Sequence, residues 1–265
     1  MDIASLIGFI AGTIFVLVTI ILNGEAPVDS VLAFIDPGSI MIVIGGPLAS
    51  LLIANPMDRV IKALLAAKMV FLPPKFDHAG TIENIITLSN LARREGVLAL
   101  EESAQNMDDP FLQKGIMLVV DGADPELVRS VLETEMVYME NRHNDIRSLW
   151  DMLAAMGPAW GMIGTMIALV LMMGNLQDIE MLAQNMALAM LTTFYGALVA
   201  NFIASPVSRK LQIFNSQEML LKEVQIEGML SIQNGENPRI IEEKLKAFLA
   251  PSMRKSVGAD GGGGS

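Results

Sequence analysis

The chain has 265 residues, 52% of them hydrophobic, yet carries a net charge of −11, which is consistent only with charge kept apart from long apolar runs. That composition belongs to a membrane protein, and the acidic balance outside the apolar runs argues against nucleic-acid binding or a polybasic anchor for anionic lipid. With no cysteine, disulfides and thiol-ligated metals are excluded, and His78 and His143 lack a metal-ligand spacing.

The first apolar run spans Ile3 to Gly24. A cleaved signal peptide would want basic residues ahead of it and a small-residue cleavage site. Only Asp2 precedes it, so a retained helix is expected. A loop carrying Glu25, Asp29 and Asp36 leads to a second run, Pro37 to Met57, where Gly45, Gly46 and Pro47 are expected to weaken or kink the helix.

The region that follows is polar and reads as helical. After Thr81, the residues Ile82, Ile85, Ile86 and Leu91 suggest an amphipathic helix. Gly96 marks a turn before a short segment, Val97 to Met107, and Asp108-Asp109-Pro110 opens the next helix with proline in its first turn. Asp124-Pro125-Glu126 is an N-cap, with proline at the first helical position and acid in the first turn. No glycine or proline then occurs until Gly157. One helix is expected to run through Trp150 into the membrane, with Trp150 as an aromatic anchor at the interface.

Residues 152–177 and 181–208 contain no charge, and each run exceeds the roughly 20 residues that cross a bilayer. Only Asp178-Ile179-Glu180 separates them, which predicts an antiparallel hairpin. Gly157, Gly161, Gly164 and Ala168 recur at helical spacing on the first helix, and Ala189, Thr193, Gly196, Ala200 and Ala204 on the second. Such stripes let helices approach closely in lipid and would serve equally as a plain packing face. Beyond Arg209, Lys210 to Ser231 continues the fourth span, and Asn237-Pro238 caps a last helix to about Leu249.

The expected architecture is an all-α membrane protein of four transmembrane helices. A first hairpin covers 1–57 (spans near 3–24 and 37–56), helical sequence 58–150, a second hairpin 151–208, C-terminal helices 209–257 and a tail 258–265. The closing Gly261 to Ser265 run reads as an artificial flexible linker. Residues 23–36 and 175–183 lack lysine and arginine, whereas ten of the 18 lie from Arg59 to Arg147 and eight from Arg209 to Lys255. The positive-inside rule then puts the middle region, both termini and the C-terminal tail in the cytoplasm, and both hairpin tips outside.

No phosphate-cradling loop, nucleophile elbow or metal motif is present, so no enzyme is expected. Glu101-Glu102, Asp108-Asp109 and Glu242-Glu243 read as solvated faces or caps. A charged group inside a span costs about 2.5–3.5 kcal/mol and usually marks an ion path. The third and fourth spans have none and offer Thr165, Thr192, Thr193, Tyr195 and Asn201 instead. Hydroxyls can orient an ion but cannot carry a proton as a carboxylate does. The pair reads as half of an ion pathway whose acid comes from a partner helix. Hydroxyls simply bonded back to their own backbone are the alternative.

The sequence resembles the A subunit of the flagellar motor stator, the MotA/PomA family, in blocks along the whole chain. These are MDIASLIGFIAG (1–12), ARREGVLALEE (92–102), QKGIMLVVDG (113–122), NRH (141–143), PAWGMIGT (158–165), LTTFYGALVANFIASP (191–206) and IQNGENPRIIEEKL (232–245). The resemblance implies a bacterial inner-membrane protein, a pentamer of A subunits around two B subunits (MotB/PomB), each bringing a membrane aspartate. It implies a transported cation, Na+ or H+, with no cofactor, and cytoplasmic charges that push on the rotor protein FliG. By the same resemblance Pro158 and Pro206 couple ion passage to movement, and Arg93 or Arg94, with Glu101, contacts the rotor. Thr165 and Thr193 match positions where sodium-driven members have threonine. A hydroxyl oxygen suits a hard cation shedding water, so sodium is favoured over the proton. The competing readings are an energiser of outer-membrane transport of the ExbB/TolQ kind, and a non-conducting scaffold.

Overall fold

A computed structural model of the chain describes residues 2–24, 26–249, 251 and 254. The expected linker lies outside them. Among the described residues all regular structure is helical. Helices α1 (Ile3–Asn23) and α2 (Pro27–Leu32) precede α3, which joins Pro37–Ile40, a π segment Met41–Gly45 and Gly46–Ala54. Then come α4 (Met57–Ala66), α5 (His78–Glu95), α6 (Leu100–Gln105), α7 (Pro110–Val120) and α8 (Pro125–Gly174). Helix α9 joins Ile179–Leu198, a π segment Val199–Ala204 and Ser205–Gln233, and α10 is Pro238–Lys246. Four stretches are long and apolar enough to cross a membrane: Ile3–Asn23, Pro27–Ala54, Pro125–Gly174 and Ile179–Gln233. These are the four spans in two hairpins that the hydropathy pattern predicts.

The chain forms two compact units, residues 1–74 with 143–213, and 75–142 with 214–265. Helices α8 and α9 have residues in both. The first unit holds the spans. Its tightest packing is between α8 and α9, where Gly157, Gly161, Gly164 and Ala168 face Ala189, Thr192, Gly196 and Ala200, all buried. A Cβ on Gly196 would stand 2.6 Å from the Gly157 carbonyl oxygen, and one on Gly161 would stand 2.8 Å from that of Thr192. Backbone therefore meets backbone, which only glycine permits. The stripe differs from expectation at one step: Thr192 takes the buried slot, its methyl lying against Gly164, while Thr193 is exposed. The buried positions 189, 192, 196 and 200 thus depart by one residue from the rhythm of the facing helix, because the Thr192 methyl is the group that fills the space left by Gly164.

The kink expected at Gly45-Gly46-Pro47 takes the form of the π segment. A second π segment precedes Pro206 in the same register. Each proline follows its π segment by two residues, so the carbonyl four residues earlier (Val43 or Phe202) lies inside the widened turn. Proline lacks the N–H to bond that carbonyl, and its ring would clash with it in a regular helix. Pro158, by contrast, lies within an uninterrupted α-helix.

Trp150 corrects an expectation. It is buried, its indole N–H donating to the Ala63 carbonyl at 3.0 Å, in a cluster with Leu51, Val60, Leu149, Ala204 and Val207. The indole dipole is satisfied by protein, and α4 covers the face that would otherwise meet headgroups. Trp160 behaves likewise, lying over Gly46 and donating to Ser50 Oγ at 3.0 Å.

The second unit has an apolar core of Ile82 and Ile85 on α5, Leu100 on α6, Ile116 on α7, Val128 and Leu132 on α8, and Val224 and Met229 on α9. Helix α5 is thus the amphipathic helix its isoleucines predict. The caps also form as read: Asp109 accepts from the Phe111 N–H, Asp124 from Glu126 and Asn237 from Arg239. Glu227 on α9 pairs with Arg129 of α8 at 3.2 Å and Lys244 of α10 at 2.5 Å. The Lys244 hydrogen bond, with Arg129 in support, overcomes burial and holds its carboxyl below the ordinary range.

Candidate functional site

The hydroxyls gather where α8 and α9 touch. Thr165 Oγ1 lies 2.9 Å from Thr193 Oγ1, 3.1 Å from the Ala189 carbonyl and 3.1 Å from its own helix's Gly161 carbonyl. Thr193 Oγ1 is 3.3 Å from the same Ala189 oxygen. Two hydroxyl protons are shared among these four oxygens, so lone pairs remain over. Thr193 is exposed and Thr165 half-buried, so the cluster opens on the surface of the helix pair. Beside it α8 presents an uncovered apolar face of Met162, Ile163, Met166, Ile167 and Val170.

The other expected polar residues part company. Thr192 is fully buried and bonds back to the Leu188 and Ala189 carbonyls at 3.1 and 3.0 Å. Asn201 bonds back to Ala197 at 3.0 Å. The Tyr195 hydroxyl donates to the Phe34 carbonyl, tying α9 to the segment before α3. The backbone oxygens of Gly161 and Ala189 carry no sequence signal, since any residue supplies a carbonyl. They join the cluster because glycine lets the helices close.

Pro158 and Pro206 are both exposed, on α8 and α9. Close by, Ser208 donates to Asp151, the last acid before the third span, and ties the ends of the two charge-free runs together.

In the second unit Arg93 and Arg94 occupy the last turn of α5, and Glu101 the first turn of α6. All three are exposed, and none has an ion-pair partner among the described residues. The arginines favour the negative end of α5 and the acid the positive end of α6, so the helix termini hold both charges in place. Between them Gly96 takes φ +89°, a left-handed conformation that closes the turn. Sequence reasoning missed the anchor of the following loop, between α6 and α7. Asp109 accepts from Lys222 Nζ at 3.0 Å and from Gln225 at 2.6 Å, across more than a hundred residues of sequence. Burial would raise its pKa, but Gln225, Lys222 and the Phe111 N–H outweigh burial and hold the carboxyl below its ordinary value.

Residues 103–224 match the model of the MotA/TolQ/ExbB proton channel family. Together with the four apolar spans and the full-length relatives that follow, that match defines the class as a multi-pass inner-membrane channel component, not an enzyme. An uncharacterised Bacillus subtilis protein, YtxD, is 39% identical over 91% of this chain and 88% of its own length. Motility protein A of Treponema pallidum is 37% identical over 97% of each chain. The flagellar MotAB stator complex from Bacillus subtilis contains a chain of the same fold, with TM-score 0.84 and 30% identity over 95% of this chain and 97% of that one. The chain belongs to the motility protein A (MotA/PomA) family of flagellar motor stator subunits. The family model alone would admit the energiser reading. The full-length match to a motility protein favours the stator.

Proposed function

We propose that this subunit assembles as a pentamer around two B subunits and passes a cation along the α8–α9 wall to the B subunit's membrane aspartate. The observation that carries this reading is the oxygen cluster of Thr165, Thr193 and Ala189, opening beside an uncovered apolar face where the runs 152–177 and 181–208 hold no carboxylate. The wall offers oxygens for a cation, and the apolar face suits a neighbouring helix that brings the acid. Four oxygens sharing two protons favour sodium over a proton, because a hard cation needs several oxygen ligands while a proton needs an acceptor it can titrate. Thr165→Ala is expected to lower sodium-driven flux about tenfold, corresponding to one hydrogen-bonded oxygen worth about 1.4 kcal/mol. Swimming speed and ion flux in sodium-containing and sodium-free media check this; motility that is independent of sodium in the parent protein rules out the sodium reading.

The termini and the second unit face the cytoplasm, as the lysine and arginine distribution supports. There Arg93 or Arg94, with Glu101, engages FliG, and Pro158 and Pro206 couple ion passage to rotation. One charge crossing 100 mV releases about 2.3 kcal/mol, enough for a small rotation between equivalent sites. Charge reversal at Arg94 or Glu101 is expected to cut torque severalfold while leaving flux within about twofold, because exposed charges contribute little to folding. Parallel measurements of tethered-cell torque and flux decide it: equal loss of both removes these residues from the rotor contact. Partial rescue at low salt supports it, since contacts between exposed charges are screened.

A further inference from the structure

Away from the threonine cluster, the first unit holds a recess of about 520 Å³, within the size range of small-molecule sites, roughly 300–1,000 Å³. Its walls are Phe9 of α1, Phe71 after α4, and Phe202, Ile203 and Val207 of α9, and its mouth carries Arg209 and Lys210. Lys210 is paired with Asp2, which compensates its charge. Arg209 is exposed, bonds the neutral Gln212 side chain at 2.8 Å, and has no carboxylate partner among the described residues. Arg209 is also the first charge after the apolar run 181–208, so it marks headgroup depth, while Phe202 and Ile203 lie inside that run and Phe9 inside the first span.

We propose that this cavity binds an anionic phospholipid, with one acyl chain against the three phenylalanines and the headgroup phosphate held by Arg209. Charge complementarity selects the occupant. A basic mouth over an apolar recess at the membrane boundary fits a phosphate with an attached chain. A second copy of this chain, at net charge −11, brings the less suitable charge. The site adjoins Pro206, so a bound lipid would pack against the α9 segment that the proposed function assigns to coupling. The site itself does not depend on that assignment or on which ion is carried.

Trp150 lines the cavity and is one of only two tryptophans, so its fluorescence reports occupancy. The full chain carrying Trp160→Phe would be reconstituted in phosphatidylcholine vesicles doped with chain-brominated phosphatidylglycerol or chain-brominated phosphatidylcholine. Half-quenching is expected at an about fivefold lower fraction of the glycerol lipid, equal to about 1 kcal/mol for one basic side chain near the surface. Arg209→Gln should abolish that preference and Arg209→Lys retain most of it. Gly8 has open space where a side chain would point, so Gly8→Leu should fill the recess and reduce quenching by both lipids. Equal quenching by the two lipids, a preference that survives Arg209→Gln, or no quenching by either (a recess covered by another copy) would each overturn the proposal.

Discussion

Gly196→Val is expected to cost at least about 3 kcal/mol and to abolish ion flux. Overpacking a well-filled interior typically costs about 1–3 kcal/mol when side chains can yield. Here the obstructing atom is the Gly157 carbonyl oxygen, 2.6 Å from the new Cβ, and backbone cannot rotate away. Helices α8 and α9 must separate, and the 2.9 Å contact between Thr165 and Thr193 then opens. Gly157→Val should behave alike, its Cβ meeting the Gly196 carbonyl at 2.8 Å. Gly174→Ala is the control, since nothing stands within 4 Å of that position. Thermal stability in detergent and flux in vesicles check all three. Retention of both in Gly196→Val would show that the helix pair tolerates a wider spacing.

Asp109→Ala is expected to destabilise the second unit by about 3 kcal/mol, from two losses. Lys222, whose side chain is only 9% exposed, loses its carboxylate partner, and unpairing a buried charge costs about 3–5 kcal/mol. Helix α7 also loses its cap, worth about 1 kcal/mol. The lower end is expected in total because the carboxylate itself is 31% exposed and Lys222 retains the Phe111 ring face, 4.8 Å away. A pH dependence follows. Because the folded pKa of Asp109 is depressed, its contribution is fully present above the ordinary carboxylate value and fades as pH falls through the lower folded value. The stability gap between parent and variant should therefore be constant near neutrality and narrow in strong acid. Thermal unfolding of the full chain, with hydrogen exchange at the α7 amides, measures both effects. If Arg93, Arg94 and Glu101 engage the rotor as proposed, Asp109→Ala should also reduce torque, because the α6–α7 loop loses its anchor on α9.

Much of this molecule is legible from local pattern. Charge-free runs mark the spans because a charge in lipid is costly wherever it sits in the sequence. The isoleucines of α5 and the Asp-Pro starts of α7 and α8 work within one or two helical turns, so their meaning does not depend on distant neighbours. The threonines are visible as hydroxyls in an otherwise apolar hairpin. What they do is less visible: Thr192 and Thr193 are adjacent and chemically identical, yet one is buried against Gly164 and the other faces outward.

Sequence by itself determined the four spans, the helical class, the caps and the absence of a carboxylate from the third and fourth spans, because each is a property of composition or short spacing. The tertiary structure decided the rest. It assigned Trp150 to a core contact with Ala63, brought Lys222 to Asp109, and gathered the Ala189 and Gly161 carbonyls with the hydroxyls of Thr165 and Thr193. Each depends on how closely two helices approach and in what rotation. That is set by the summed packing of many side chains, and no single residue or motif carries it.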